Sequence, residues 1–338
     1  MSKAAVSSQR GNILLRMLPG LVVTIVAVAA LFYFVDFREV QQAFGLADYR
    51  VLPLVILLFL GTVSARAMAW RTNMMERASF VDCFLVLNQG YLLNNILPFR
   101  LGELGRAVLL AGRVGQPFWR VLSSIVIERV FDLGIAAGML FGTLPFVVGA
   151  DWARSATVVA AVLVGAGFLV LFLMASRPQW IVRFVEFLTK PWPKLQRWAA
   201  EQLTHFLEGL SALRDGLRFL RVASWMILTW LFNVIWYYVL LRSFLPEATW
   251  LWAFFSIAVA SLGVALPSSP AYIGVLETAL VAALSLFGVD PAIALAYALV
   301  AHILYFIITG LIGIIGFWQQ GQSLGDVYRQ LLARPAAK

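Results

Sequence analysis

Two prolines interrupt apolar stretches long enough to cross a membrane. Leu97-Pro98 is followed by Gly102 and Leu266-Pro267 by Gly274, and the interruptions are separated by half the length of the 338-residue chain. Paired breaks at matching places in two halves are the sequence sign of a transporter built from inverted-topology repeats, with its substrate site where the broken helices meet. The residues around them leave little choice of solvent. At 62% hydrophobic and 13% charged, the chain has too little polar surface to coat a water-soluble globule.

Apolar runs of about 20 residues or more, the length an α-helix needs to span a hydrocarbon core, cover 13–35, 51–70, 121–149, 155–175, 222–241 and 291–318. They lack the period-two alternation of a membrane barrel. The predicted fold class is therefore an all-α integral membrane protein, a polytopic helical bundle with two inverted-topology repeats, each containing a broken or re-entrant hairpin. The first run follows Lys3 and Arg10 and contains Ala27-Val28-Ala29, as a cleavable signal peptide would, but it is too long for a typical signal core and reads as a retained span. Cys83 is the only cysteine, which excludes an intrachain disulfide and a multi-thiolate metal site.

Positive charge is segregated between the connections. Seventeen of the 26 Lys and Arg residues fall in 1–12, 71–79, 112–120, 176–221 and 319–338, and only four in 36–50, 150–154, 242–249 and 288–290. The positive-inside rule then places both termini on the cytoplasmic side of the cell inner (plasma) membrane. With that orientation, 80–112 enters and returns, turning at Asn94–Arg100, and 250–287 does the same from the other side. The chain reads as one membrane domain, 1–338, with repeat 1 at about 13–149, repeat 2 at about 155–318 and a cytoplasmic insert at 176–221. The hairpin arms, about 17–27 Å long at helical rise, leave open whether the hairpins are re-entrant or fully spanning. In the insert, Leu203, Phe206, Leu210, Leu213, Leu217 and Leu220 recur at helical spacing. This predicts one amphipathic helix lying on the headgroup layer or packed on its neighbour, preferred over a partner-binding coiled coil. Pro191-Trp192-Pro193 separates it from a shorter helix before it.

Arg16, Arg66, Arg100, Arg106 and Arg129, with Glu103, Glu128, Asp132 and Glu277, fall inside the predicted membrane segments. Each costs about 2.5–3.5 kcal/mol on insertion scales, so they should face one another or a wet cavity. After Pro98 the new arm should offer free amides and a positive helix end, flanked by Arg100 and Arg106, and Gly102 and Gly105 allow it a close approach. Ser269 and Pro270 should open a second helix in the same way. Arginine's planar fork suits phosphate, and Asn94, Asn95, Ser268 and Ser269 complete the predicted ligand shell. Glu103 is read as the carboxylate that holds Arg100 or Arg106, and Glu128, Arg129 and Asp132 as a second charge cluster. Glu277 either pairs with Arg100 or Arg106 across the halves or binds a proton. The competing reading is that these charges only pin helices together. His302, alone among aliphatics, reads as a hydrogen-bonded core residue rather than a metal ligand. Tyr33, Trp70, Trp119, Trp250, Trp252 and Trp318 read as interfacial anchors. No Walker A loop, dinucleotide fingerprint or nucleophile elbow is present in the sequence, and no metal or cofactor is expected.

Three motifs carry a resemblance: Gly90-x3-Asn94-x2-Leu97-Pro98-x-Arg100-x-Gly102-Glu103-x2-Arg106, then Glu128-Arg129-x2-Asp132, then Leu266-Pro267-x2-Pro270-x3-Gly274-x2-Glu277. Together they resemble the lysylphosphatidylglycerol synthase transmembrane region, or flippase-like domain, over essentially the whole chain. The resemblance implies movement of aminoacylated phosphatidylglycerol between leaflets. Members are often fused to a soluble domain that charges the lipid from aminoacyl-tRNA; the chain after the last apolar run is short, so the translocating half is expected here. Members without that domain have diverse substrates, some near glycolipid or polyprenyl-linked sugar pathways. Ala271 departs from the pattern, which has a glycine after Pro270.

The predicted function is a lipid flippase-like transporter of an anionic or aminoacylated phospholipid, or of a polyprenyl-linked lipid, with the headgroup phosphate at Arg100 and Arg106. The expected partners are that lipid and either a second copy or an envelope-synthesis protein, and not nucleic acid. The alternatives are an integral-membrane transferase on a polyprenyl phosphate, with Glu103, Glu128 or Asp132 as base, and a non-transporting scaffold of envelope biogenesis.

Overall fold

The computed structural model describes residues 26, 29, 31, 33, 35–97, 100–148, 151–265 and 270–321. Most of the first predicted span with Arg16, the break residues Pro98 and Phe99, and Leu266, Pro267, Ser268 and Ser269 lie outside the described residues. The protein is a polytopic all-α membrane protein, with no strand among the described residues. Twelve α-helices are described: α1 (Phe37–Ala43), α2 (Leu52–Asn73), α3 (Phe80–Ile96), α4 (Leu101–Val114), α5 (Phe118–Val148), α6 (Asp151–Ser176), α7 (Pro178–Thr189), α8 (Pro193–Gly209), α9 (Gly216–Phe244), α10 (Trp250–Gly263), α11 (Val275–Ser285) and α12 (Pro291–Gln320). The regions of α2, α5, α9 and α12 are each long and apolar enough to cross a bilayer, and α6 with α7 adds a fifth candidate bent by 86°.

Local chemistry sets the boundaries. Ser79 and Asp82 form a reciprocal capping box that starts α3, and Asp215 and Asp290 accept from the first amides of α9 and α12. Helix α3 ends where Leu97 turns extended (φ −100°, ψ 140°), the conformation forced on a residue preceding proline. The arms α3, α4, α10 and α11 have 17, 14, 14 and 11 residues. At helical rise none exceeds about 26 Å, short of the roughly 30 Å hydrocarbon core.

Packing is exchanged between the halves. Helix α2 lies along α9, the first arm α3 packs on α12, and the first arm α10 packs on α5, while the second arms α4 and α11 stay against the helices that follow them. Close backbone approach makes this possible. A Cβ on Gly102 would overlap the Gly90 carbonyl and the Asn94 side chain, and one on Gly313 would lie 2.8 Å from the Asn88 carbonyl. A second apolar cluster, including Phe131, Leu171, Leu207, Leu210 and Met226, joins α5, α6, α8 and α9.

The predicted continuous helix through Leu203–Leu220 is broken. Helix α8 stops at Gly209, a 3-10 turn covers Leu210–Arg214, and Asp215 caps α9. Leu207, Leu210 and Leu213 are buried, but Leu217 and Leu220 belong to the next helix and are exposed. Apolar spacing alone cannot show the break, which Asp215 marks by accepting from Leu217 N and Arg218 N at the start of α9. The shorter helix α7 has the exposed apolar face, with Trp180, Phe184 and Phe187, as a helix in the headgroup plane would. Trp70 is another correction. It is 1% exposed and serves the charge cluster described below instead of an interface.

Gly102→Ala should disrupt the seat of α4 on α3, costing about 1–3 kcal/mol as overpacking does, whereas Gly112→Ala, with no atom within 4 Å of the added carbon, should be neutral. Thermal unfolding midpoints of the two variants in the same detergent check this.

Candidate functional site

Three arginines and three carboxylates from α2, α4 and α5 form one cluster rather than two. Glu128 and Asp132 are one helical turn apart on α5, and so are Glu103 and Arg106 on α4, so each pair shares a face. Arg106 grips Glu128 with both nitrogens (3.1 and 2.7 Å) and reaches Glu103 at 3.3 Å. Arg66 of α2 does the same to Asp132 (2.8 and 2.8 Å) and also touches Glu128 at 2.9 Å. Arg129 bridges Glu128 at 2.9 Å, Asp132 at 3.2 Å and Glu103 at 3.5 Å. Trp230 of α9 donates to Asp132 at 3.1 Å. The Arg106–Glu128 end is dry, with side chains 1% and 3% exposed, and the Arg129 and Glu103 end is wetter at 31% and 17%. Trp70 lies under the Arg106 guanidinium, 4.2 Å from ring centroid to carbon, and donates to Ser124.

The wet end opens on a cavity of about 440 Å³. Arg66, Glu103, Arg129 and Asp132 line it with Asn94, Arg100, Tyr272 and His302 and with aromatic rings such as Tyr91, Trp236 and Tyr305. Residues from both helix breaks therefore face one space. Arg100 joins them directly, donating to the Val264 carbonyl at the end of α10 and lying 5.3 Å over the Tyr272 ring. Arg66, Arg106 and Arg129 are cancelled by Glu103, Glu128 and Asp132. Among the described residues, Arg100 is the cavity arginine with no carboxylate partner, and its buried Nε finds no acceptor.

The structure rearranges several sequence expectations. Arg106 is not part of the cavity lining; its two terminal nitrogens are occupied by Glu103 and Glu128. The expected free amides of α4 are partly used, since Asn94 accepts from Gly102 N at 2.8 Å and the Arg100 carbonyl from Glu103 N at 3.0 Å. Asn95 faces α12, 3.5 Å from the Thr309 hydroxyl. Helix α11 starts at Val275, not Pro270; Pro270–Tyr272 is a 3-10 turn and Glu277 caps Gly274 N at 2.8 Å. Glu277 pairs with neither Arg100 nor Arg106. Its other oxygen lies 2.5 Å from His302 Nδ1, with both side chains buried. Sequence spacing hid this contact, although both residues lie at comparable depths either side of the short turn between α11 and α12, where antiparallel neighbours meet. His302 Nε2 is buried and unpartnered among the described residues. Arg66 was visible as a membrane arginine, but nothing in the sequence named its carboxylates. Ser268 and Ser269 lie outside the described residues.

Breaking one member of this cluster strands its partners in a dry site. Glu128→Gln should cost about 3–5 kcal/mol, the range for orphaning a buried charge, whereas Arg106→Met combined with Glu128→Leu keeps the cluster neutral and should cost less. Unfolding midpoints of the single and double variants test the ordering.

Comparison with known proteins supports this architecture. The chain matches the profile of the lysylphosphatidylglycerol synthase TM region over residues 17–313, which include both breaks and the whole charge cluster. It is similar to a UPF0104 membrane protein of Methanothermobacter thermautotrophicus, 24% identical over 324 residues that cover 91% of this chain and 95% of the relative. It is also similar to a protein named Glycosyltransferase AglD in Haloferax volcanii, 27% identical over 321 residues that cover 84% of this chain. The match takes in 51% of that relative, so the two are comparable over about half of its length. With the profile matched over most of its length, the chain belongs to the lysylphosphatidylglycerol synthase TM region family.

Proposed function

We propose that this protein moves an anionic lipid, a charged or aminoacylated phospholipid or a polyprenyl-linked lipid, between the leaflets of the cell membrane, with the headgroup phosphate at Arg100 and the tails left in the bilayer. One observation carries the reading: once the six-membered cluster has cancelled itself, Arg100 remains as the surplus cation, among the described residues, of a cavity lined by residues that flank both helix breaks. Its fork has donors to spare, and phosphate accepts from such a fork in two places. Phosphate binding competes with the Val264 carbonyl, so an arriving headgroup loosens the tie between the hairpins, and rocking of the halves as inverted repeats opens the cavity to alternate sides. Asn94 and Glu103 line the pocket beside it. His302, held by Glu277, lines the same space. The segregation of basic connections supports an orientation with both termini in the cytoplasm.

A second reading has one observation in its favour, the glycosyltransferase name of the Haloferax relative. In this reading the protein is a transferase on a polyprenyl phosphate and Glu103, the cluster carboxylate on the cavity wall most open to it, is the base. Glu103→Gln then abolishes turnover while lipid binding persists.

Liposomes carrying headgroup-labelled lipid separate these readings. A charge-assisted bond contributes about 1.5–3 kcal/mol, so Arg100→Ala should slow leaflet exchange by roughly tenfold or more, Arg100→Lys should be intermediate, and neither should lower the unfolding midpoint. Exchange at the wild-type rate in Arg100→Ala rules the assignment out.

A further inference from the structure

A second and larger cavity, of about 620 Å³, lies at the end of the bundle where the basic connections gather, beneath α7 and α8. Its walls come from the end of α2, the start of α5, the α6–α7 elbow and the α8 turn that ends at Arg214. No residue of the Arg100 cavity belongs to it. Its volume is within the range of small-molecule sites, about 300–1,000 Å³.

Charge and hydrogen bonding agree on what it accepts. Arg77, Arg120, Arg183 and Arg214 line it against Glu186 and Glu208, a surplus of positive charge. Arg77 and Arg120 converge on one neutral acceptor, Gln116 Oε1, at 2.8 and 2.9 Å, and Arg120 also holds Glu208. Arg183 and Arg214 form no salt bridge among the described residues. The independent observation is Asn73. It is 4% exposed, donates to the Ser124 carbonyl at 2.7 Å and lines the cavity, yet its buried Oδ1 has no partner among the described residues. An orphaned buried acceptor is costly, and a ligand hydroxyl satisfies it. Met74, Val182 and Leu207 supply the apolar part of the wall.

We propose that this cavity is a second binding site, selective for a phosphorylated polyol: the phosphate is held by the unpaired arginines and a hydroxyl donates to Asn73 Oδ1. A free sugar phosphate and a lipid headgroup of the same kind share this chemistry. The site stands apart from Arg100, so either proposal can fail alone.

The test uses the whole chain in phosphatidylcholine nanodiscs, titrated calorimetrically with myo-inositol 1-phosphate, and in parallel a thermal-shift measurement in nanodiscs doped with phosphatidylinositol. Saturable binding of the free phosphate assigns a soluble ligand; stabilisation by the doped bilayer alone assigns a lipid headgroup. The responding arm should weaken at least tenfold in Arg183→Gln/Arg214→Gln, an exposed pair, weaken in Asn73→Ala, and stay unchanged in Arg242→Gln, an exposed arginine that lines neither cavity. Failure of both arms, equal binding of unphosphorylated myo-inositol, wild-type affinity in the double variant, or loss in Arg242→Gln overturns the proposal.

Discussion

Three guanidinium groups and three carboxylates have to cancel one another here because hydrocarbon offers them no water. Their solution decides much of the architecture. Arg66 ties α2 to α5, Arg106 ties α4 to α5, and Trp230 draws α9 onto Asp132. The second arm of the first hairpin is thus fixed to α5 by its ion pairs, to α2 by the Arg106–Trp70 contact, and to its own first arm by the Gly102–Gly90 contact and the Asn94 cap. Such a cluster is weak evidence of net stability, since each ion must be desolvated. Its effect is on specificity: the helices can meet in one register only, because any slip leaves a bare charge.

The helix breaks gain their meaning from that fixed frame. Arg100 sits in the left-handed region (φ 54°, ψ 34°) as the residue before α4, and Ala271 and Tyr272 sit there at the other break (φ 58° and 59°). Residues with a Cβ pay about 1–2 kcal/mol for this conformation. At Ala271 the strain is the physical reason for the glycine that the resemblance leads one to expect after Pro270. At Arg100 the strained backbone aims a long cationic side chain across the gap to Val264 instead of back along its own helix. Strain of this kind persists where surrounding structure over-determines it and collects at functional sites.

Sequence reasoning reached the membrane fold, the apolar helices, both breaks and nearly every charged residue, because hydrophobic length, proline and intramembrane charge each leave a local mark. What it misassigned was partnership. Arg106 and Arg100 look alike in sequence, two basic residues after one proline, yet one is 1% exposed and locked between carboxylates while the other is left over. That difference depends on Arg66, a residue from another helix with no motif of its own. Glu277 and His302 were separately visible and their contact was not. The insert misled in the opposite way: its leucine spacing was regular, but one helix ends at Gly209 and the Asp215 cap begins another inside the pattern.

The two cavities have a short wall between them, and its composition bears on how such a protein avoids leaking ions. Asn73 and Ser124 face one cavity; Trp70 donates to Ser124 and underlies Arg106; Arg106 grips Glu128; and Arg66 and Asp132 face the other cavity. Every link is a direct contact, and its middle is the driest part of the cluster. A charge-balanced plug offers a passing ion neither a net counter-charge nor a water shell, so the cancellation that positions the helices also disfavours ion passage. On the lipid-moving function proposed above, the headgroup bypasses that plug: it needs only to reach Arg100 while its apolar chains stay in the bilayer.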